Sequence, residues 1–145
     1  MALRGHYPSL LIPIAAGVTL LLAARGWRRL LRVEVQGMSM APGLLPGDRL
    51  LAIRGQAPRV GDVVTTGDPR HPARTLVKRV VVLDADRGVE LAGDNATAST
   101  DSRTFGAVPP ELVTGRVVWR YWPPERRGRP RRYPALKATG GAQVG

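Results

Sequence analysis

The sequence predicts a mainly β protein: a small antiparallel, barrel-like folded sheet preceded by one N-terminal transmembrane helix. Three observations predict it. Short runs of alternating apolar and polar residues recur from Val33 onward, clusters of Gly, Pro and Asp separate them, and an uncharged apolar stretch from Tyr7 to Ala24 stands ahead of them all.

The stretch YPSLLIPIAAGVTLLLAA holds no charged side chain over 18 residues. As a helix it would be about 27 Å long at about 1.5 Å per residue, against a bilayer core of about 30 Å. Pro13 and Gly17 are compatible with such a helix. Leu22 stands where a secretory cleavage site wants a small residue, so a retained single-pass anchor through residues 7–24 is expected. GWRRLLR, residues 26–32, follows as a basic amphipathic link whose Trp27 and arginines suit a membrane interface. Residues 1–32 therefore read as an anchor and link, with membrane lipid as one partner.

From Val33 the pattern turns to β. RVEVQ alternates, and DRLLAIR (48–54), GDVVTT (61–66), TLVKRVVVL (75–83), GVELA (88–92) and LVTGRVVWRYW (112–122) follow. APGLLPGD, GQAPRVGD, GDPRHP and DADRG supply the turns. Residues 33–122 form the expected catalytic or binding domain. Residues 123–145, beginning PPERRGRPRRYP, read as a basic Pro/Gly-rich disordered tail. There is no internal repeat.

Charge and composition narrow the function. The net charge of +11 sits at the two ends: residues 1–32 carry five arginines and no acid, residues 123–145 carry five arginines, Lys137 and one acid, and the middle is nearly neutral. A neutral middle lacks the electrostatic footprint of a nucleic-acid reader, so no nucleic-acid partner is expected. Without cysteine there is no thiol chemistry or thiolate metal site, and His6 and His71 alone supply no three-histidine centre. No metal and no cofactor are expected.

Two residues invite a chemical reading. QGMSMAPGLLPGDRL (36–50) places Ser39 between two methionines and fixes the chain around it with two Pro/Gly pairs. Twenty arginines accompany only two lysines, and only lysine can lose its proton when desolvated. If TLVKRVVVL is a strand, Leu76, Lys78, Val80 and Val82 share one face, with Val77, Arg79 and Val81 on the other. Lys78 then projects among apolar neighbours, where burial lowers its pKa and makes it a candidate base for Ser39. An isolated strand lysine is also the ordinary pattern of a snorkelling edge residue. AGDNATASTDSRTFGAVP (92–109) is dense in hydrogen-bonding groups that could orient a buried amine, although solvated turns use the same residues.

Taken in order, GMSMAPGLLPGD, LVKRVVVL and GDNATASTDSRTFGAVP resemble the bacterial type I signal peptidase family, serine endopeptidases with a Ser/Lys dyad; the resemblance covers roughly residues 33–122. It implies Ser39 as nucleophile, Lys78 as general base and Ser99 as the hydroxyl that orients the lysine. It further implies an Asp101–Arg103 ion pair supporting the site and Asp94 holding the GDN turn. Val33, Val35, Met40, Leu44, Leu76 and Val77 would line shallow pockets for small residues one and three before the cut. The partner is then a protein substrate with a cleavable N-terminal leader, handled by an enzyme expected to be a monomer.

The chain departs from the family in three places. Gly37 replaces a hydroxyl that helps hold the oxyanion in many members, which implies a hole of backbone donors including the Ser39 N–H. Gly43 replaces the usual Thr. Only fourteen residues separate Lys78 from Gly93, where large relatives insert a second domain, so this is a minimal catalytic domain. Arg25, Arg28, Arg29 and Arg32 after the apolar stretch, against Arg4 before it, favour a cytoplasmic catalytic domain, whereas analogy with signal peptidases favours the opposite side. The compact size and the ending GRVVWRYWP also resemble short members described as maturation proteases of nickel-type superoxide dismutase, which would restrict the same chemistry to propeptide removal. Two rivals remain. A self-cleaving repressor would need a DNA-binding segment for which residues 1–32 are too short and apolar, and a non-catalytic basic module would bind anionic membrane or nucleic acid through the flanks.

Overall fold

A computed structural model describes residues 11–132. Residues 7–10 of the expected span and residues 133–145 of the expected tail lie outside the described residues. The chain divides into two compact units, one ending at Leu30 and the other beginning at Leu31. The first contains α1 (Leu11–Trp27), a 17-residue helix with exposed Val18, Leu20, Leu21 and Leu22. Among the described residues no helix is long and apolar enough to cross a membrane.

From Leu30, the last residue of the first unit, the chain runs into six strands: β1 (Leu30–Glu34), β2 (Arg49–Ile53), β3 (Val63–Asp68), β4 (His71–Asp84), β5 (Gly88–Ala92) and β6 (Val113–Trp122). They form one sheet in the order β1-β2-β6-β3-β4-β5. The β2–β6, β6–β3, β3–β4 and β4–β5 pairs are antiparallel. A mainly β fold is thus observed, but the sheet does not close into the expected barrel. Its last strand, β5, has its outer edge occupied from elsewhere: the Val89 N–H donates to the Val108 carbonyl at 2.8 Å and the Val108 N–H returns to Val89 at 2.9 Å. At the other end, among the described residues, no strand pairs with the outer edge of β1. β4 changes partners at Arg79, which pairs with both Val63 of β3 and Ala92 of β5: His71 and Thr75–Lys78 before it pair with β3, and the residues from Val80 to Asp84 after it pair with β5.

Adjacent residues of a strand face opposite ways, so the sheet carries apolar packing on both faces. Val63 belongs to a cluster with Val35, Met40, Leu44, Leu50, Ala52, Val77 and Val117; its neighbour Val64 belongs to a second cluster with Val80, Val89, Leu91 and Val108. Gly115 of β6 gives the first cluster its closeness, since a Cβ there would meet Leu31, Thr65 and Ala52 at 3.1–3.3 Å. The regular alternation expected along β4 fails at one point. Val80 pairs with Leu91 and Val82 with Glu90, a bulge that shifts the parity, and Val82 is exposed rather than sharing the buried face of Lys78.

The stretch expected to be loose begins with ten residues that are held. A 3-10 turn at Pro124–Arg126 is followed by a bridge in which Arg120 and Gly128 exchange hydrogen bonds of 2.8 and 3.1 Å.

Candidate active site

The turn between β1 and β2 carries Ser39. Its residues 38–44 curl tightly: the Ala41 N–H bonds the Met38 carbonyl at 3.1 Å and the Leu44 N–H bonds the Met40 carbonyl at 2.8 Å. That curl places Met40 and Leu44 four residues apart on one side, and both are buried in the first core cluster. Met38, on the other side, is half exposed. Gly37 enters the turn with φ +74°, a left-handed conformation that glycine adopts without a Cβ penalty.

Ser39 opens onto a cleft of about 580 Å³. One wall is Val33–Met40; the other is Arg70, His71 and the β4 residues Ala73–Lys78; Ala98 and Thr100 complete it. Val33, Val35, Met40, Leu76 and Val77 all line this cleft. Leu44, expected among them, does not, because the turn points it inward at 1% exposure.

Lys78 is 3% exposed on its cleft wall, opposite Val64 of β3. Its Nζ donates to Ser99 Oγ at 2.9 Å, and Ser99 Oγ donates to Asp101 Oδ2 at 2.7 Å. Asp101 also accepts from the Gly93 N–H at 2.9 Å, the Arg103 N–H at 3.2 Å and the Arg103 guanidinium at 2.8 and 2.7 Å. Burial alone would raise the Asp101 pKa, but the Arg103 side chain, then the Gly93 N–H, the Ser99 hydroxyl and the Arg103 N–H outweigh it and hold the carboxyl well below the usual carboxylate range. An ionised Asp101 only accepts, so the Ser99 proton is committed to it and Ser99 offers a lone pair to the lysine. The bond to Ser99 therefore uses a lysine N–H and leaves the lone pair of the neutral amine for another partner.

Desolvation is the main cause that lowers the Lys78 pKa below the ordinary lysine value. Asp101 opposes it, Arg74 and Arg103 reinforce it, and Asp68 opposes it weakly. A cleft that strips water from an ammonium in this way favours the form able to take up a proton.

The Ser39 main-chain carbonyl and Ser99, the partner of Lys78, both approach Gly93. A Cβ on Gly93 would lie 2.3 Å from Ser99 Oγ and 2.5 Å from the Ser39 carbonyl oxygen, so both sit in its contact shell. The Ser39 carbonyl is pinned there by the Asn95 N–H at 2.9 Å. The structure thus brings Ser39, Lys78, Ser99, Asp101 and Arg103 into one neighbourhood. Asp94 does something other than hold its own turn: its carboxylate takes the Arg79 guanidinium in two bonds of 2.7 Å. Arg79 follows Lys78 on the strand and is itself 4% exposed, so the pair anchors the reverse side of β4 to the loop.

Three features escaped the sequence reading. Gly93 carries no chemical group, and only its close approaches reveal its place. Arg79 stood on the face opposite Lys78 without a partner assigned. Arg70 and Arg74 make the cleft rim basic; Arg70 is held by Asp68 through bonds of 3.1 Å from Nε and Nη2 and lies over the Phe105 ring at 5.7 Å.

The sequence profile of the family described as signal peptidase, peptidase S26, matches residues 9–91 and 88–122. Mitochondrial ATP-independent inner membrane protease subunit 1a of Arabidopsis thaliana is 39% identical over 121 aligned residues, covering 66% of this chain and 72% of the relative. Mitochondrial inner membrane protease subunit 2 of Mus musculus is 32% identical over 118 residues, covering 64% and 67%. Subunit 1 of Homo sapiens is 33% identical over 82 residues, covering 43% of this chain and about half, 49%, of the relative.

Proposed function

The chain belongs to the signal peptidase family, peptidase S26, and we propose that it is a membrane-associated serine endopeptidase that uses a Ser39/Lys78 dyad to remove an N-terminal leader from a protein substrate. The observation that carries this reading is the Lys78 amine: buried in the wall of the cleft onto which Ser39 opens, bonded to Ser99 at 2.9 Å, and depressed in basicity by desolvation.

In this mechanism the Ser39 hydroxyl attacks the scissile carbonyl as the Lys78 lone pair takes its proton. The developing oxyanion is held by backbone donors, the Ser39 N–H among them. Lys78 then passes the proton to the leaving amine and activates the water that hydrolyses the acyl-enzyme. Ser99, Asp101 and Arg103 hold the amine in position, and the Asp94–Arg79 pair steadies the strand beneath it. The substrate lies extended between β1 and the first half of β4, whose edges both border the cleft, with its side chains against Val33, Val35, Met40, Leu76 and Val77.

Membrane association follows the apolar stretch at residues 7–24 and the relatives, which are named as inner membrane proteases. The arginines at 25–32 favour a catalytic unit on the cytoplasmic side, which tag accessibility at the C-terminus tests.

Lys78→Arg tests the dyad directly. Arginine keeps the charge but cannot act as a base, so turnover should vanish; retained turnover overturns the mechanism. Amino-terminal sequencing of proteins that accumulate uncut when Ser39→Ala replaces the native enzyme identifies the substrate, a nickel-type superoxide dismutase included.

A further inference from the structure

The chemistry makes no use of the residues after Trp122, yet they bond to the turn that carries Ser39 and to Arg79, the strand neighbour of Lys78. Asp48, which closes the turn carrying Ser39, is fully buried. Its carboxylate accepts from the Leu45 N–H of its own turn at 3.0 Å, from Arg120 Nη1 at 3.2 Å and from Arg126 Nη2 at 2.5 Å. Arg120 Nη1 also donates to the Gly43 carbonyl at 3.1 Å, and its Nε donates to the Arg126 carbonyl. Two guanidiniums therefore converge on one buried acid, and one of them comes from beyond the last strand. A buried carboxylate that loses such a partner is left under-compensated, so the geometry is tightly held while both are present. Farther along, the Arg131 carbonyl accepts from Arg79 Nη1 at 2.9 Å, and Arg132 Nε meets Asp62 at 2.9 Å. One end of the segment grips the Ser39 turn, and the other reaches the reverse side of the Lys78 strand.

We propose that residues 123–132 are a strap across the sheet and that Arg126, acting through Asp48, is a positioning residue for Ser39. The catalytic part of this rests on Ser39 being the nucleophile. No residue of the strap lines the cleft. The strap thus governs where the hydroxyl and N–H of Ser39 point while leaving the cleft walls intact. Its loss lowers kcat and spares KM.

The test uses the full chain, a synthetic leader peptide with Ala one and three residues before the cut, and amide hydrogen exchange. Arg126→Ala should lower kcat at least tenfold with KM within twofold, and Arg126→Lys should recover part of the loss. Exchange at residues 43–48 should speed at least tenfold while β3 and β4 stay protected. Unchanged exchange at 43–48, protection lost evenly over the sheet, or a change in KM alone would each overturn the strap. If Arg126→Ala does not fold, Arg126→Gln, which keeps the stem and a neutral donor, is read the same way. Ser39→Ala is run beside them. Cleavage that survives it overturns the nucleophile assignment, and the exchange measurement still decides whether the strap holds the turn.

Discussion

Replacing Gly93 by alanine adds a single methyl at the point where the two halves of the site touch. That methyl would stand 2.3 Å from Ser99 Oγ, 2.5 Å from Ser99 Cβ and 2.5 Å from the Ser39 carbonyl oxygen. Relief to an ordinary van der Waals separation needs a shift of about 1 Å. Neither neighbour can give it freely. Ser99 is held at 2.7 Å from Asp101 and 2.9 Å from Lys78, and the Ser39 carbonyl at 2.9 Å from the Asn95 N–H. A displacement of that size breaks the Ser99–Lys78 bond or swings the nucleophile, and misplacement by about 1 Å costs about 100-fold in rate. Overpacking costs roughly 1–3 kcal/mol of stability, well short of the roughly 5–15 kcal/mol that a domain has. The variant should therefore stay folded, melt several degrees lower and lose about two orders of magnitude in kcat on a leader peptide. Native turnover at an unchanged melting temperature would refute the argument, because it would mean that Ser39 and Ser99 do not meet at this glycine.

Other outcomes follow from the same network. Ser99→Ala removes the acceptor that orients Lys78 and should lower kcat by roughly 10- to 100-fold with little change in KM, measured on the same peptide. Activity should rise with pH through the lowered Lys78 pKa, and a flat rate profile between pH 6 and 9 would contradict a titrating lysine. Stability should also rise with pH between that lowered value and the ordinary lysine value of about 10.4, because the unfolded chain binds the extra proton across that window; urea titrations of wild type and Lys78→Met, compared over it, read the difference. The Asp101 contribution has the opposite limit: it is present above the ordinary carboxylate pKa and is lost as pH falls through the depressed folded value. Asp101→Asn should flatten the acid limb of the unfolding profile.

The strands and their turns were legible because apolar alternation and Gly/Pro punctuation are local signals. What failed was non-local. The outer edge of β5 is occupied by Val108, a pairing that no short window encodes. The family resemblance implied Leu44 as a cleft residue, but the curl of residues 38–44 turns it into the core beside Met40. The bulge at Val80–Val82 undid a parity argument that held for Leu76 and Lys78. In the site, the burial expected for Lys78 is present, and Asp101 and Arg103 are indeed paired. The partner of Asp94 was invisible because Arg79 lies fifteen residues away on another element, and the ordered residues 123–132 looked like solvated basic tail because their anchors, Asp48 and Asp62, are distant in sequence.

The open rim between β1 and the first half of β4 also has a cost for the resting protein. Exposed main-chain donors and acceptors on a flat strand invite addition of any extended chain, including another molecule of the same kind, and are a route to fibrils. The bordering side chains answer this hazard: the acidic Glu34 on one rim and the basic Arg70 and Arg74 on the other face solvent. Stripping those charges should leave a protein that precipitates in storage and is rescued by a bound peptide, so the same acids and bases that flank the opening act as its gatekeepers against self-assembly.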